Sequence, residues 1–383
     1  MTSTLPRVDG LLPTLAERAP EIDRAGRVPD DLIADLTGAG CLRMLVPAAY
    51  GGADLPLAEA LRVIEELSTA DASTGWLVGQ VGLAHLLFAC FPEAARNEIY
   101  ADGPDVLGAG AVAPKGRAAP DGAGGWRVNG QWPFVTGSPQ ASWIYLNCIV
   151  LDGRTPRTLP NGAPLTRMVL FPATELQQLD TWQVLGLRGT ASQDVRAVNL
   201  TCPEHRGFSL VGDGDDVRRT VFRIAQAGLL IAAVDIGIAQ GAVHDAAAQA
   251  ADGRRRTFST RALADSPVFH DRLGEAHVAL RAARALLYRE AENAWETARR
   301  GEVLSPLDRA CLRATATQVT ATAHQAVQTA YALAGASTVF DSSSLQRRLR
   351  DINTATQHFV NGRDSYATVG ALLAGAQVDT TMF

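Results

Sequence analysis

The chain has 383 residues, of which 47% are hydrophobic and 20% charged, and its formal net charge is -5 at pH 7. This composition is typical of a globular enzyme with a large core, and the acidic balance argues against nucleic-acid binding. Five scattered cysteines without a CxxC pair predict reduced thiols in the cytoplasm and exclude a disulfide or zinc framework.

Targeting and membrane segments are not expected. The N-terminal stretch lacks a basic region followed by an apolar one, so no signal peptide is predicted. The most apolar run, "AGLLIAAVDIGIAQGAV", carries Asp235 and is shorter than a bilayer span. It is therefore predicted to be a buried helix.

The predicted elements fall into three groups along the chain. Apolar residues at spacings of three and four predict helices over 11–100. Short β-branched and aromatic runs follow, and the Asn-Gly of "WRVNGQW" predicts a hairpin turn. Long helical patterns return near Val217 and supply four helices, enough for an antiparallel bundle. We predict an α+β multidomain chain with an N-terminal helical domain (1–105), a middle β-barrel or sandwich domain (106–215) and a C-terminal four-helix bundle (216–383).

Several common catalytic patterns are missing. "GAGAVA" at 108–113 matches the letters of a dinucleotide fingerprint, but a further strand is predicted after it where the fingerprint needs a helix. No P-loop, HExxH or GxSxG pattern occurs, and the histidines form no compact ligand set, so no metal site is predicted.

Two glycine-containing segments of the β-domain carry candidate binding groups. "WPFVTGSPQASW" combines aromatic residues, hydroxyls and a glycine at the end of a strand, which suits a flat heterocycle with polar edges, such as a flavin. "LGLRGTASQDV" offers a guanidinium, hydroxyls and backbone N–H groups in a loop between strands. A packed hairpin and a solvent-exposed turn are the simpler structural alternatives.

Five motifs in order carry a family resemblance: "PAAYGG", "VNGQWPFVTGS", "LGLRGTASQDV", "RRTFSTRALADSPVFHDRL" and "SSSLQRRLRDINTATQH". Together they resemble the acyl-CoA dehydrogenase fold, and more narrowly its flavin-dependent monooxygenase branch, the oxygenase half of two-component systems. The resemblance covers nearly the whole chain.

The resemblance implies roles for particular residues. The isoalloxazine ring would be packed or hydrogen-bonded near N5 by Phe134 and Thr136, with Ser138 just beyond them. A flavin phosphate would be reached, often across a subunit boundary, by the segment holding Arg255 and Phe258. The glutamines usual in dehydrogenases are replaced by Thr257 and His270, which leaves FMN and FAD open. The predicted cofactor-binding residues are Phe134, Thr136, Arg188, Thr190, Ser192, Arg255 and Phe258.

The predicted catalytic residues are His358, His85 and Ser138. Acyl-CoA dehydrogenases commonly place a glutamate base shortly after an Arg-Asp pair, but this chain has no acidic residue between Asp351 and Asp364. The monooxygenase relatives place a histidine there, and His358 fits that position. If the segment is helical, Asp351, Thr354 and His358 share one face, and an imidazole that titrates near neutrality could move a proton. His85 is a second candidate, with helix packing as its alternative.

The function implied by the resemblance is a flavin-dependent monooxygenase. It would take reduced FMN or FAD from a separate NAD(P)H-dependent flavin reductase, form a C4a-hydroperoxyflavin with O2, and hydroxylate or N-oxidise a small organic substrate, aromatic or natural-product-like. A homotetramer without nucleic-acid or membrane partners is expected in the cytoplasm. The alternatives are an acyl-CoA dehydrogenase-like FAD desaturase and a redox-silent protein of the same fold.

Overall fold

The N-terminal part is helical, as predicted. The computed structural model describes residues 5–209, 227–255 and 260–378. Asp71 begins the fourth helix by accepting the Thr74 N–H at 2.8 Å, which satisfies an otherwise unpaired helix N-terminus. The helices are α1 Leu12–Ala25, α2 Asp30–Ala39, α3 Leu57–Ala70, α4 Ala72–Phe88 and α5 Glu93–Ile99.

The middle of the chain forms one mixed sheet. Its order is β6-β7-β2-β1-β3-β5-β8, with β4 paired to β3, and only β1 and β3 run parallel. Buried side chains from the strands form a separate core cluster, so the sheet region has a core of its own. The strands are β1 Gly108–Pro120, β2 Gly125–Val135, β3 Trp143–Asp152, β4 Thr155–Pro156, β5 Thr166–Pro172, β6 Gln177–Leu179, β7 Gln193–Pro203 and β8 Gly207–Phe208.

The prediction of a hairpin turn at Asn129-Gly130 is wrong, because β2 continues through it. Asn129 accepts the Asn199 N–H at 2.7 Å from its side chain, and the register with β7 shifts at this point, as in a β-bulge. A side chain at Gly130 would lie 2.6 Å from the Gly116 backbone, so this glycine permits close packing and does not make a turn. The turn follows β1, where Asp121 accepts two backbone N–H groups at 2.8 Å.

Long helices return after the sheet. Helix α6 is long and apolar enough to cross a membrane, but 89% of its most apolar window is buried in the protein, as in a core helix. The start of the helical pattern predicted near Val217 lies outside the described residues, and the boundaries at 105 and 215 stay predictions. The helices are α6 Ala227–Ala251, α7 Pro267–Arg299, α8 Pro306–Ala334, α9 Ser344–Ala355 and α10 Asp364–Leu373.

The expectation that "GAGAVA" is not a dinucleotide loop agrees with the fold, since 108–113 lies inside β1. A side chain at Gly108 would lie 2.5 Å from the Phe88 ring, and one at Gly110 would lie 2.3 Å from the Tyr145 carbonyl. These glycines therefore let α4 and β3 approach the strand closely. The contact at Gly108 packs α4 against the sheet, and the contact at Gly110 packs β3 against β1.

Candidate functional site

A buried chain of hydroxyl groups joins the end of β2 to the loop before β7. Thr190 Oγ1 donates to the Leu187 carbonyl at 2.8 Å. Because a hydroxyl has one proton, Ser192 must then donate to Thr190 at 2.7 Å, and Thr136 to Ser192 at 2.8 Å. The Trp76 indole N–H donates to Thr136 Oγ1 at 3.3 Å. All three hydroxyl protons are used within the protein, so the chain presents oxygen lone pairs.

The backbone around these hydroxyls is strained. Phe134, Leu187 and Ala191 have φ values of 64°, 52° and 44°, a region that residues other than glycine rarely adopt. Phe134 is 70% exposed and meets Trp182 edge-on, with ring centroids 6.2 Å apart. Strained residues tend to cluster at ligand sites, and an exposed aromatic face beside a hydroxyl chain can pack against a flat ring.

Ser138 is buried beside this segment, and its hydroxyl has no hydrogen-bond partner within the described ranges. Its position is fixed by Gly137, where a side chain would lie 2.6 Å from Leu77 of α4. The Gly137 N–H also donates to the Thr190 carbonyl at 3.0 Å. An unsatisfied buried hydroxyl is costly unless a ligand or water completes it, so Ser138 is available to a bound group.

His358 lies beyond α9, so the prediction that it shares a helix face with Asp351 and Thr354 is wrong. The helix ends at Ala355, whose carbonyl accepts the Asn361 side-chain amide at 3.4 Å, and His358 begins a 3₁₀ turn. The imidazole nevertheless reaches the site, because it meets Trp76 edge-on with ring centroids 5.7 Å apart. Trp76 therefore connects the hydroxyl chain to His358.

The expectation that His358 titrates near neutrality is also corrected. Burial lowers the pKa of its imidazole to about 4, so the ring is neutral at ordinary pH. Its Nδ1 accepts the Val360 N–H at 3.4 Å, a weak bond that favours the proton on Nε2. In this state the His358 ring carries an N–H donor at Nε2.

His85 is fully buried in α4 and both of its ring nitrogens are engaged. Nδ1 lies 3.0 Å from the Tyr100 hydroxyl, and Nε2 lies 3.1 Å from the Val106 carbonyl. Burial lowers the pKa of His85 to about 4. This geometry leaves no nitrogen for a substrate and supports the packing role that was its alternative.

Two further residues predicted to bind the cofactor, Arg188 and Arg255, do not take part in the hydroxyl chain. Arg188 is exposed on the loop before β7, and Arg255 is exposed in a bridge with Ala262. Phe258 lies outside the described residues. The part of the chain that the structure describes also contains no cluster of three or more His, Cys, Asp or Glu side chains suited to a metal ion.

Sequence reasoning missed the partners that join these segments. Trp76 links Thr136 to His358, and Trp182 Nε1 donates to the Leu187 carbonyl at 3.2 Å. Asp351, considered only in the Arg-Asp pair and on a helix face with His358, accepts the Leu187 N–H at 2.7 Å. Trp182 stands just before the glycine-containing loop, and that proximity is the one signal that could have indicated its role.

The residues present fit a flavin ring. Phe134 supplies an exposed aromatic face, and the hydroxyl chain supplies acceptor lone pairs at a polar edge. Ser138 holds a buried hydroxyl that has no partner among the residues that the structure describes. A flat heterocycle needs apolar walls and a few well-placed polar groups, and this arrangement supplies both.

Comparisons with known proteins agree with this geometry. The model of the acyl-CoA dehydrogenase N-terminal domain matches residues 13–98, and that of the acyl-CoA dehydrogenase C-terminal domain matches residues 229–362. The chain is 32% identical to indole-3-acetate monooxygenase from Pseudomonas putida, covering 97% of this chain and 94% of that protein.

Two further similarities concern flavin-dependent proteins. The chain is 30% identical to the oxygenase component of FADH2-dependent resorcinol hydroxylase from Rhizobium sp. (strain MTP-10005), covering 97% of this chain and 94% of that protein. It superposes with a TM-score of 0.89 and 27% identity on XiaF from Streptomyces sp., solved in complex with FADH2 and glycerol, over 97% of this chain and 95% of that one.

Proposed function

The chain belongs to the acyl-CoA dehydrogenase family as a flavin-dependent monooxygenase. We propose that it is an oxygenase component that hydroxylates a small aromatic compound. It uses reduced flavin, FMN or FAD, as its cofactor. When bound, reduced flavin supplies the electrons that activate dioxygen for transfer to the substrate. The protein's own contribution is to bind this flavin, exclude water and orient the substrate.

The direction of the hydroxyl chain is the observation that carries the proposal. The donors follow one another in a single direction: Trp76 donates to Thr136, Thr136 to Ser192, Ser192 to Thr190, and Thr190 to the Leu187 carbonyl. The positions on the three hydroxyl oxygens that remain free for a ligand are therefore lone pairs. Reduced flavin carries an N–H at N5 that a lone pair can accept, whereas the oxidised ring has only an acceptor there. This complementarity supports selective binding of the reduced form.

The substrate side of the site is best described by His358 and its neighbours. Its ring packs between Trp76 and Phe359, with centroids at 5.7 and 4.8 Å. Aromatic surfaces favour a flat aromatic substrate, and the neutral Nε2–H would hold its oxygen or nitrogen substituent. No carboxyl group stands between Asp351 and Asp364 to remove a proton from an acyl thioester. Hydroxylation therefore fits better than desaturation.

The names of the similar proteins support an aromatic substrate, since one acts on indole-3-acetate and another on resorcinol. A small aromatic acid or phenol is the class we propose, with ring hydroxylation as the reaction. The supply of flavin by a separate NAD(P)H-dependent reductase, a homotetrameric assembly and a cytoplasmic location complete the proposal. The five cysteines are free thiols, which supports a reducing compartment.

Anaerobic titration tests the flavin part of this proposal. Dithionite-reduced and oxidised FMN and FAD are added separately, and quenching of tryptophan fluorescence reports binding. We expect the reduced forms to bind at least about tenfold more tightly, as one lost hydrogen bond at a buried site implies. Tight binding of oxidised FAD, with bleaching by an acyl-CoA, would instead identify a dehydrogenase.

A further inference from the structure

Three side chains of helix α9 form hydrogen bonds with the backbone of three consecutive residues in the loop before β7. Each bond comes from a different side chain of the helix, and together they bind one short stretch that is far away in sequence. The bonds are Arg350 Nη1 to the Leu185 carbonyl at 2.8 Å, the Gly186 N–H to Thr354 Oγ1 at 3.0 Å, and the Leu187 N–H to Asp351 Oδ1 at 2.7 Å.

The loop lies directly on the helix backbone. A side chain at Gly186 would lie 2.2 Å from the Arg350 carbonyl oxygen, so only glycine allows this approach. Arg350 is itself fixed by a two-bonded ion pair with Asp23 of α1, at 2.9 and 3.2 Å. The helix therefore offers a rigid surface to the loop, and small shifts of the loop would break its bonds.

Leu187 is the central residue of this contact. Its φ of 52° is a strained conformation for a side chain with a Cβ, and it persists only where surrounding bonds hold it. Its carbonyl accepts the Thr190 N–H at 3.1 Å and Thr190 Oγ1 at 2.8 Å. The carbonyl also accepts Trp182 Nε1 at 3.2 Å. Its N–H has one partner, the carboxyl group of Asp351.

The same carbonyl is the end of the hydroxyl chain. Thr190 donates to it, and the positions of Ser192 and Thr136 follow from Thr190 through bonds of 2.7 and 2.8 Å. The Leu187 carbonyl belongs to the peptide group after the one that carries the Leu187 N–H, and the φ and ψ angles of Leu187 join the two groups. Loss of the bond to the N–H would allow these angles to change and the carbonyl to turn away from Thr190, which would release the Thr190 proton. The hydroxyl chain would then lose its direction and with it the lone pairs it presents.

Asp351 can hold the Leu187 N–H because its carboxyl group is a buried acceptor with other charged groups nearby. It is 3% exposed, and Arg350, Asp23 and Asp71 are the charged groups that act on it. Burial raises the pKa of Asp351 to about 7, with the nearby Asp71 adding to the rise. Both the neutral and the charged carboxyl keep an oxygen lone pair for the Leu187 N–H.

We propose that Asp351 is a positioning residue for the flavin site, which holds the Leu187 N–H, keeps the strained Leu187 backbone in place and so fixes the direction of the Thr190–Ser192–Thr136 hydroxyl chain. The proposal rests on the proposed function for its flavin, but the loop contact itself is independent of it. Thr354 and Arg350 complete this clamp of three side chains. Asp351 touches neither flavin nor substrate and acts through the loop.

Hydrogen exchange of the flavin-free, full-length protein tests the contact. Asp351→Ala leaves the Leu187 N–H unpaired, so peptides covering 185–192 should exchange at least about tenfold faster than in the wild type. Asp351→Asn keeps an acceptor and should restore protection to within about threefold. Asp245→Asn is the matched control, because Asp245 pairs with Arg348 on another face of α9 at 2.8 Å and does not touch the loop.

Flavin titration on the same proteins tests the consequence. Asp351→Ala should lower the preference for reduced over oxidised FAD by at least about tenfold, while Asp351→Asn and Asp245→Asn keep it. If Asp351→Ala does not fold, Thr354→Val removes one clamp bond and should give the same changes at about threefold. Unchanged exchange and preference in these variants, or equal effects of Asp245→Asn, would overturn the proposal. A wild type that binds no flavin would refute the proposed function, while the exchange experiment would still decide the clamp.

Discussion

The indole of Trp76 contacts the imidazole of His358 edge-on, with ring centroids 5.7 Å apart, although 282 residues separate them along the chain. The same indole donates its N–H to Thr136 Oγ1 at 3.3 Å. One side chain of α4 thus lies between the hydroxyl chain, on the proposed flavin side, and the imidazole, on the proposed substrate side. The two halves of the proposed chemistry meet at this residue.

The first prediction concerns His358. Its neutral ring offers Nε2–H to the substrate, so His358→Ala should lower product formation by roughly 10²-fold and divert oxygen consumption to hydrogen peroxide. His358→Gln keeps an N–H donor at a similar reach and should recover part of the coupling. His324→Ala is the control, because His324 bonds Asn353 at 3.2 Å on another part of the bundle. Product and peroxide are measured together with the melting temperature.

A different result would assign His358 another role. Equal loss in the Ala and Gln variants would indicate proton transfer, and a low melting temperature with full coupling would indicate packing alone. Because burial lowers the pKa of His358 to about 4, its limb in the pH profile of kcat/KM should lie near pH 4. A limb near pH 6.5 would contradict the lowered pKa of this half-buried ring.

The second prediction concerns Ser192. Ser192→Ala removes the acceptor for the Thr136 proton, so Thr136 can turn its O–H toward the flavin. We expect the preference for reduced flavin to fall about tenfold and peroxide release to rise. Thr201→Ala serves as control, since this exposed hydroxyl of β7 accepts only Arg127 at 2.9 Å. An unchanged preference for reduced flavin in Ser192→Ala would show that the hydroxyl chain does not select the reduced form.

The third prediction concerns the pH dependence of stability. Asp235 is fully buried in α6 and accepts Thr320 Oγ1 at 2.5 Å. Burial raises the pKa of Asp235 from 3.8 to about 7, with the Thr320 bond opposing the rise. The folded state thus favours the protonated form, so the stability from this group is full below about pH 4 and is lost as the pH rises to about 7.

Asp235→Asn removes that dependence. Between pH 5 and 8 the wild type should lose about 2–3 kcal/mol relative to the variant, from 1.36 kcal/mol per pKa unit. Urea unfolding at both pH values measures the difference, and the exposed Asp252→Asn is the control. Parallel stability curves for the wild type and Asp235→Asn would show that the carboxyl is not held in its neutral form.

The fourth prediction concerns assembly. We expect a homotetramer by light scattering at micromolar concentration, with the segment holding Arg255 and Phe258 next to a neighbour's flavin. Arg255→Ala should weaken flavin binding about tenfold, as loss of a charge-assisted bond does. The adjacent Arg254→Ala is the control, because Arg254 is engaged with Gln249 and Ser337. A fully active monomer contradicts the prediction.

The local parts of the site could be predicted from the sequence. Two short segments in which a strand meets a glycine-containing loop hold Thr136, Thr190 and Ser192. The composition of such segments can be recognised in the sequence. The prediction of a turn at Asn129-Gly130 was wrong because an Asn-Gly pair is typical of a hairpin turn, whereas here the glycine allows close packing against β1. Sequence pattern alone cannot distinguish these two uses.

The long-range parts could not be predicted, because they depend on contacts between distant segments. The bond between Leu187 and Asp351 spans 164 residues, and nothing local marks either partner. Helix α9 ends at Ala355, whose carbonyl accepts the His358 N–H at 3.1 Å and the side-chain amide of Asn361 at 3.4 Å. His358 therefore lies off the predicted helix face. The pKa of His358 is likewise a product of tertiary burial.

Labelled dioxygen tests directly whether the protein is a flavin-dependent monooxygenase. The wild type is supplied with chemically reduced FAD or FMN, ¹⁸O2 and a panel of small aromatic acids and phenols that includes indole-3-acetate and resorcinol. A flavin-dependent monooxygenase should give a product with one ¹⁸O atom, formed only with reduced flavin and in proportion to the oxygen that does not become peroxide. Product oxygen derived from water, or an unsaturated acyl-CoA formed with bound oxidised FAD, would contradict the account.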